Sequence, residues 1–501
     1  MTIDVRHILD SSLPAMAAKT ALVYQDWTYT YQDLSDEVSR LACGLLQTAT
    51  PGDLLAIWLP NCPEILCIFL ACLKAGIVPM PFHQGMTWSE VHHILVATQA
   101  KNLITSRKIL DEWPVEFATT SLHQIYVIES DQQSAPFRTY HELTNTRRDF
   151  IAPCLSEDSP GFVLHTSGSE GYAKGVVLSY RNLNHILHFR LNHTKLTPES
   201  TAVVASCLTQ SVGLHQSLAL LAAGGRIVLL ESYDLEPLVA AVDQYQPTHL
   251  MMTVNPFDRL LHHPAISESS FQNVLFASVG ADRVTPRVQN RFIALTGKPL
   301  AVSYGLTESS WALVNFEGRL DKCLALGKPG PDIQIKLVDS QGIEVPTGEV
   351  GEIYIKSPRT MVGYLNNAPL TQAAFVDGWL ASGDLAYQDN EGYFWFAGRK
   401  KNIIVLSTGD NVSPGEVEQA ILSHSAVLGC VVISAQSKDT SEVPWAFVTR
   451  SDETLTELAL ETFLKERISA FKIPRKIIFV SELPVGLTGK IRYPETSFKL
   501  Q

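Results

Sequence analysis

Between residues 162 and 178 the chain reads Phe162-Val-Leu-His-Thr-Ser-Gly-Ser-Glu-Gly-Tyr-Ala-Lys-Gly-Val-Val-Leu178. Hydroxyls at Thr166, Ser167 and Ser169, the flexible Gly168, Gly171 and Gly175, and the ammonium of Lys174 can together wrap phosphate oxygens. The run is not a Walker A loop. That motif needs glycine where Ala173 stands and Ser or Thr where Gly175 stands. Apolar residues on both sides predict a loop joining two strands, and by itself a glycine-rich surface hairpin reads the same way. Four more stretches carry useful groups. Tyr304-Gly-Leu-Thr-Glu308 puts a ring, a hydroxyl and a carboxylate within one short segment, and Ser382-Gly-Asp384 offers a second carboxylate. Gly398-Arg-Lys-Lys-Asn-Ile-Ile404 and Leu483-Pro-Val-Gly-Leu-Thr-Gly-Lys490 offer cations. Each has an ordinary reading when taken alone: a polar turn after a strand, a Gly-Asp turn, a solvated charge run, a solubilising lysine.

The elements that must position these groups read as a mixed α/β protein. Leu54–Leu59 is a short apolar run, Glu64–Ala75 a buried helix ending at Gly76, and 77–82 a second apolar run. Strand, helix and strand at this spacing make a βαβ unit and a parallel sheet. Residues 31–46 read as an amphipathic helix, Asp234–Gln244 as another, and His249–Val254, the end of 271–279 and 299–303 as strands. From about 320 to 395 the texture changes to alternating runs split by glycine-rich turns, such as 332–339 and 351–356, as antiparallel strands require. After about 400 a unit of domain size begins.

The chain has 501 residues, which suggests about three domain-sized units. With 46% hydrophobic and 18% charged residues it can build large cores and is not a disordered protein. Lys and Arg number 39 against 51 Asp and Glu, a formal charge of −12, which argues against a bulk-basic nucleic-acid binder. No apolar run reaches the length of a membrane span; the best, Ile65–Leu73, stops at Lys74. The first residues lack a basic stretch followed by an apolar one, so a cytoplasmic location is expected. The eight cysteines show no Cys-x2-Cys pair and read as small buried hydrophobes. The pairs His92-His93 and His262-His263 lack metal-ligand spacing.

In their order, the five motifs resemble the adenylate-forming superfamily of acyl- and aryl-CoA synthetases, stand-alone adenylation domains and luciferases, from about residue 20 to 495. The resemblance implies a large N-terminal AMP-binding domain (1–398) of α/β subdomains, about 1–190 and 191–320. It adds a small antiparallel β-barrel-like part at about 321–397 and a mobile small α+β C-terminal domain, 399–501. It implies ATP-dependent activation of a carboxylic acid as an acyl adenylate with release of pyrophosphate, then transfer to the thiol of CoA. ATP, Mg2+ and CoA, or a carrier-protein phosphopantetheine, are the implied cofactors. Thr166, Ser167, Gly168, Ser169, Gly171, Lys174 and Gly175 match the phosphate loop. Tyr304, followed by Gly305, matches the aromatic beside adenine, Thr307 the α-phosphate hydroxyl, and Glu308 the carboxylate toward magnesium. Asp384 matches the ribose-binding carboxylate, with Arg399 in support. Lys401 sits at the hinge position, Gly409 on the pantetheine side, and Lys490 matches the lysine bridging substrate carboxylate and α-phosphate.

Three positions depart from the pattern: Glu170 where Thr or Ser is usual, Ala173 where Pro is usual, and Val302 where a polar residue touches adenine. On the acyl side the resemblance points to Gln210, Ser211, Gly280, Ala281 and Trp311. With Ser211 where amino-acid-activating relatives carry Asp, an α-amino acid is disfavoured, and an uncharged fatty or aryl acid fits best. Trp311 reads equally as a core residue. Two alternatives stay open: an acyl-AMP ligase loading a carrier protein, suggested by the Ser-Glu-Gly variant, and a catalytically impaired nucleotide-binding relative. Expected partners are a small carboxylic acid and CoA or a carrier protein, with no nucleic acid and no transmembrane segment.

Overall fold

The structure is a computed structural model that describes residues 3–113, 120–129, 137–145, 150–166, 173–406, 411–436 and 442–483. Its architecture is mixed α/β, as the alternation of apolar strands and helices predicts. The strand Leu54–Trp58 pairs in parallel with Val78–Phe82, and the helix Pro63–Ala75 crosses between them. That helix ends where Gly76 takes φ of 75°, a left-handed turn that glycine adopts at little cost. Asn102–Ser106, Gln124–Ile128 and Phe137–Thr139 extend this parallel sheet to five strands among the described residues. Helix Tyr31–Leu45 starts in a capping box, in which Thr30 and Asp33 satisfy each other's backbone donors.

The second sheet has nine strands among the described residues. In spatial order it runs from Lys328–Pro329 and Ser310–Val314 through Ala301–Leu306, Phe276–Gly280, His249–Thr253, Thr201–Val204 and Arg226–Leu229. It finishes at Thr20–Tyr24 and Trp27–Thr30. The last two strands come from the start of the chain, because Leu22 pairs with Ile227. A cut near residue 190 therefore does not separate one sheet from the other. Strand order reverses around Thr201–Val204, and in open α/β sheets ligands gather beyond the carboxyl ends of strands near such a point. Gly280 and residues 304–306 lie at those carboxyl ends.

A third layer is the curled antiparallel sheet Gln334–Val338, Gly351–Lys356, Trp379–Gln388 and Phe375–Val376, with Phe394–Arg399 paired to Trp379–Gln388. The C-terminal unit packs helices Pro414–Leu422 and Glu457–Lys465 on strands Val427–Gln436, Glu442–Arg450 and Lys476–Phe479 around its own core. It touches the larger part where Arg283 donates to the Gly415 carbonyl and lies 3.8 Å from the Glu418 carboxylate. Cys62, Cys67 and Cys72 are buried and free, as expected of small hydrophobes. Among the described residues no helix is long and apolar enough to cross a membrane.

Candidate functional site

The flanks of the glycine-rich loop are the antiparallel strands Pro160–Thr166 and Lys174–Ser179, with Thr166 opposite Lys174 at the mouth. Ser167, Gly168, Ser169, Glu170 and Gly171 lie outside the described residues, as do Gly409 and Lys490. A third strand, Gly363–Tyr364, pairs with Val176 and Val177, and the Leu365 N–H donates to the Gly175 carbonyl at 2.7 Å. Gly175 is small because the Leu365 and Val163 side chains press against it; an added Cβ would meet them at 3.2 and 3.1 Å. Gly305 is more constrained: a Cβ there would meet the Ser310 carbonyl oxygen at 2.0 Å. Sheet packing thus demands glycine at 305, while at 175 it leaves a side chain little room.

Two clusters form around residues 304–308. In the first, the buried Tyr304 hydroxyl donates to Asp384 Oδ2 at 2.9 Å, and Arg399 Nε lies 3.1 Å from Oδ1 of the same carboxylate. Asp384 and Arg399 face each other across adjacent strands, so their encounter follows from register. Burial, and then the Asp384 charge, push the Tyr304 phenol well above its ordinary value, so it remains a donor. Sequence reasoning places the Tyr304 ring and Asp384 on one nucleotide; the direct bond between them is new. In the second cluster the Tyr364 hydroxyl donates to Glu308 Oε1 at 2.8 Å, and Lys174 Nζ lies 5.8 Å from the centre of the Tyr364 ring. Burial and the Glu308 charge push Tyr364 upward as well. Tyr364 was not legible in the sequence. Its sequence signal is a Gly-Tyr pair ahead of Asn366, which reads as an ordinary turn.

Of the two adjacent lysines, Lys400 is tied to Glu352 at 2.7 Å. Lys401 has no ion pair among the described residues, and burial, then the Arg399 and Lys174 charges, lower its pKa. Lys174, Arg399 and Lys401 therefore share one electropositive region that also holds Asp384. That arrangement suits a polyanion bearing a diol. Glu308 offers an oxygen donor of the kind magnesium takes, which fits an ion arriving with a triphosphate.

Gln210 stands at the N-cap of the helix Ser211–Ala222, half-buried, without a capping hydrogen bond from its side chain. Gly280 packs so that a Cβ would meet the Ser303 carbonyl oxygen at 2.4 Å, and Ala281 takes φ of 68°, strained for a residue with a side chain. Trp311 is buried opposite Gly305, and Val302 is buried in the sheet beside Val279.

A histidine sits next to the loop. His165 is half-buried, its Nδ1 3.1 Å from the Pro81 carbonyl oxygen, and desolvation pulls its pKa down to about 4. Below the unfolded value of 6.5, the unfolded chain takes up a proton that the folded one refuses. Stability contributed by neutral His165 is thus complete above pH 6.5 and is lost as pH falls toward 4, by about 3 kcal/mol over that window. His165→Gln is expected to flatten the fall in unfolding free energy between those pH values, measured by denaturant titration. An unchanged slope would show that other groups carry it.

The model of the AMP-binding enzyme family matches residues 11–365, and that of the AMP-binding enzyme C-terminal domain matches residues 416–490. The chain belongs to the AMP-binding enzyme family. A long-chain-fatty-acid–CoA ligase of Escherichia coli O6:H1 is 27% identical over 97% of this chain and 92% of that protein. An indoleacetate–CoA ligase of Aromatoleum aromaticum is 26% identical over 95% and 94%. Among solved structures, a benzoate CoA ligase from Burkholderia xenovorans superposes with a TM-score of 0.88 at 25% identity, covering 98% of this chain and 99% of that one. The two family models match this chain in two parts, a large N-terminal one and a small C-terminal one.

Proposed function

We propose that the protein is an acid–thiol ligase: it activates a fatty or aryl carboxylic acid with ATP as an acyl adenylate, then passes the acyl group to CoA. The observation that carries this reading is the convergence of Lys174, Glu308, Tyr304, Asp384 and Arg399 on one region, from four separated motifs. The CoA ligases named above, similar over nearly their whole length, support it.

In the first step a carboxylate oxygen of the acid attacks the α-phosphorus, and the bond from that phosphorus to pyrophosphate breaks. Lys174 and the Thr166–Gly175 loop hold the β- and γ-phosphates, and the Thr307 hydroxyl meets the α-phosphate. Glu308 would hold a magnesium ion arriving with the nucleotide, which would neutralise charge on the phosphates. Asp384 accepts from the ribose hydroxyls while the Tyr304 ring lies along adenine. Lys490 supplies the cation between the two reacting groups, delivered by rotation of the small domain about Lys401. In the second step the thiol attacks the acyl carbon beside Gly409 and AMP leaves. Gln210, Ser211, Gly280, Ala281 and Trp311 border the acid.

A second reading, transfer to a carrier-protein thiol, is favoured by Glu170 in the loop. One incubation separates the two. With ATP, magnesium and a panel of acids, acid-dependent pyrophosphate with a CoA thioester supports the first. Acid-dependent pyrophosphate without a CoA thioester, the acyl adenylate being captured only by hydroxylamine, supports the second. The absence of pyrophosphate with every acid would leave an impaired nucleotide-binding protein.

Tyr364 positions Glu308 in this scheme. Tyr364→Phe removes one hydrogen bond to a charged acceptor, worth about 1.5–3 kcal/mol. The magnesium concentration for half-maximal pyrophosphate release is expected to rise roughly tenfold, with a smaller change in the KM for the acid. Equal effects on both would refute a role specific to Glu308.

A further inference from the structure

Beyond Trp311 lies a cation with no counter-charge among the described residues. Arg190, on the helix Tyr180–His193, is 2% exposed, and its guanidinium carbon sits 4.0 Å from the centre of the Trp311 ring. Nη1 reaches the Met251 sulfur, a weak acceptor, at 3.7 Å, and Nε has no hydrogen-bond partner among the described residues. The charged group it feels is another cation, Arg359, which is itself paired with Asp332 at 2.8 Å. Burial lowers Arg190 to about 9, so it is still charged at neutral pH.

His215 adds a second, independent anomaly. It lies four residues after Ser211 on the same helix, and so on the same face. It is 1% exposed, and neither ring nitrogen has a partner among the described residues. Burial, then the Arg190 charge, hold it neutral. The neighbouring Gln216 is as buried, and its amide oxygen and nitrogen are also unpartnered there. Buried donors of this kind are strongly unfavourable when left unmet, and their persistence side by side points to an acceptor that arrives with a ligand.

We propose that Arg190 and His215 form a polar end to the acyl pocket, reading an oxygen acceptor on the acid, a carboxylate, carbonyl or hydroxyl, remote from its reacting carboxyl. The inference rests on the adenylation reading, in which Ser211 and Trp311 border the acid, and it narrows that reading from hydrocarbon acids to oxygenated ones. A plain alkyl or aryl tail leaves the guanidinium and imidazole unsatisfied and makes the poorer substrate.

The test uses matched acids with the full-length enzyme: octanoate against omega-hydroxyoctanoate and octanedioate, and phenylacetate against its para-hydroxy and para-carboxy forms. In pyrophosphate release, an oxygenated member of at least one series is expected to exceed its hydrocarbon partner about tenfold or more in kcat/KM. A carboxylate ahead of a hydroxyl identifies an anionic guest, and the reverse order a neutral one. Arg190→Met is expected to bring that ratio toward one, chiefly by raising KM for the oxygenated acid, and Arg190→Lys to restore part of it. Because the ratio is taken within one variant, simple loss of stability lowers both acids together and leaves it unchanged. Should Arg190→Met not fold, wild-type melting temperature with ATP and each acid gives the same comparison. Hydrocarbon acids equal to or better than their partners would overturn the inference and leave adenylation standing. No pyrophosphate from any acid would remove the adenylation reading and the inference with it.

Discussion

Lys490→Ala lowers acid-dependent pyrophosphate release roughly 10²–10³-fold, the cost of losing one donor at the charge that develops in the transition state, about 3–4 kcal/mol. The same variant still transfers the acyl group from a supplied acyl adenylate to CoA at close to the wild-type rate. The asymmetry follows from the proposed alternation of the small domain, in which Lys490 enters the site only while the acid meets the α-phosphate. Thioester formation has no such cation between its reacting atoms. Two assays measure the result: pyrophosphate release with ATP and acid, and AMP release from synthetic adenylate and CoA. If both halves fell by the same factor, the lysine would be acting on the fold or on both steps, and the rotating-domain account would fail for this chain.

Asp384→Ala is expected to reduce kcat/KM for ATP about a hundredfold or more, since each hydrogen bond to a charged group contributes about 1.5–3 kcal/mol and a ribose diol offers two. The carboxylate also accepts from the Tyr304 hydroxyl at 2.9 Å, so the variant leaves a buried donor unmatched and lowers the melting temperature. Tyr304→Phe keeps the ring, removes that hydroxyl and separates the two effects. Its cost in stability is about 1.5–3 kcal/mol, that of one hydrogen bond to a charged acceptor, and its effect on the KM for ATP is smaller than that of Asp384→Ala. In a double-mutant cycle the two side chains are expected to couple by about 0.5–3 kcal/mol. A KM for ATP left unchanged by Asp384→Ala would remove the carboxylate from the nucleotide site.

Much of the framework was legible because it depends on neighbours in sequence. The helix Pro63–Ala75 and the strands beside it follow from apolar runs, a proline at the start and a glycine at the end. The loop between two strands follows from the apolar flanks of residues 167–172, which pair as Thr166 opposite Lys174. The motifs to which nucleotide chemistry is assigned above were legible for the same reason: each is a short local pattern. The N-terminal strands were harder, since Leu22 pairs with Ile227, some two hundred residues away, and nothing local to residues 20–30 specifies that edge.

Composition and periodicity determined an α/β chain, and the resemblance of the five ordered motifs pointed to the family it belongs to. Tertiary structure alone decided which groups meet: Tyr364 with Glu308, Tyr304 with Asp384, Glu352 with Lys400, and Arg190 with Trp311. The physical reason is distance along the chain. Helix and strand periods are set within a few residues, whereas these contacts depend on sheet register and on the packing of elements tens to more than a hundred positions apart.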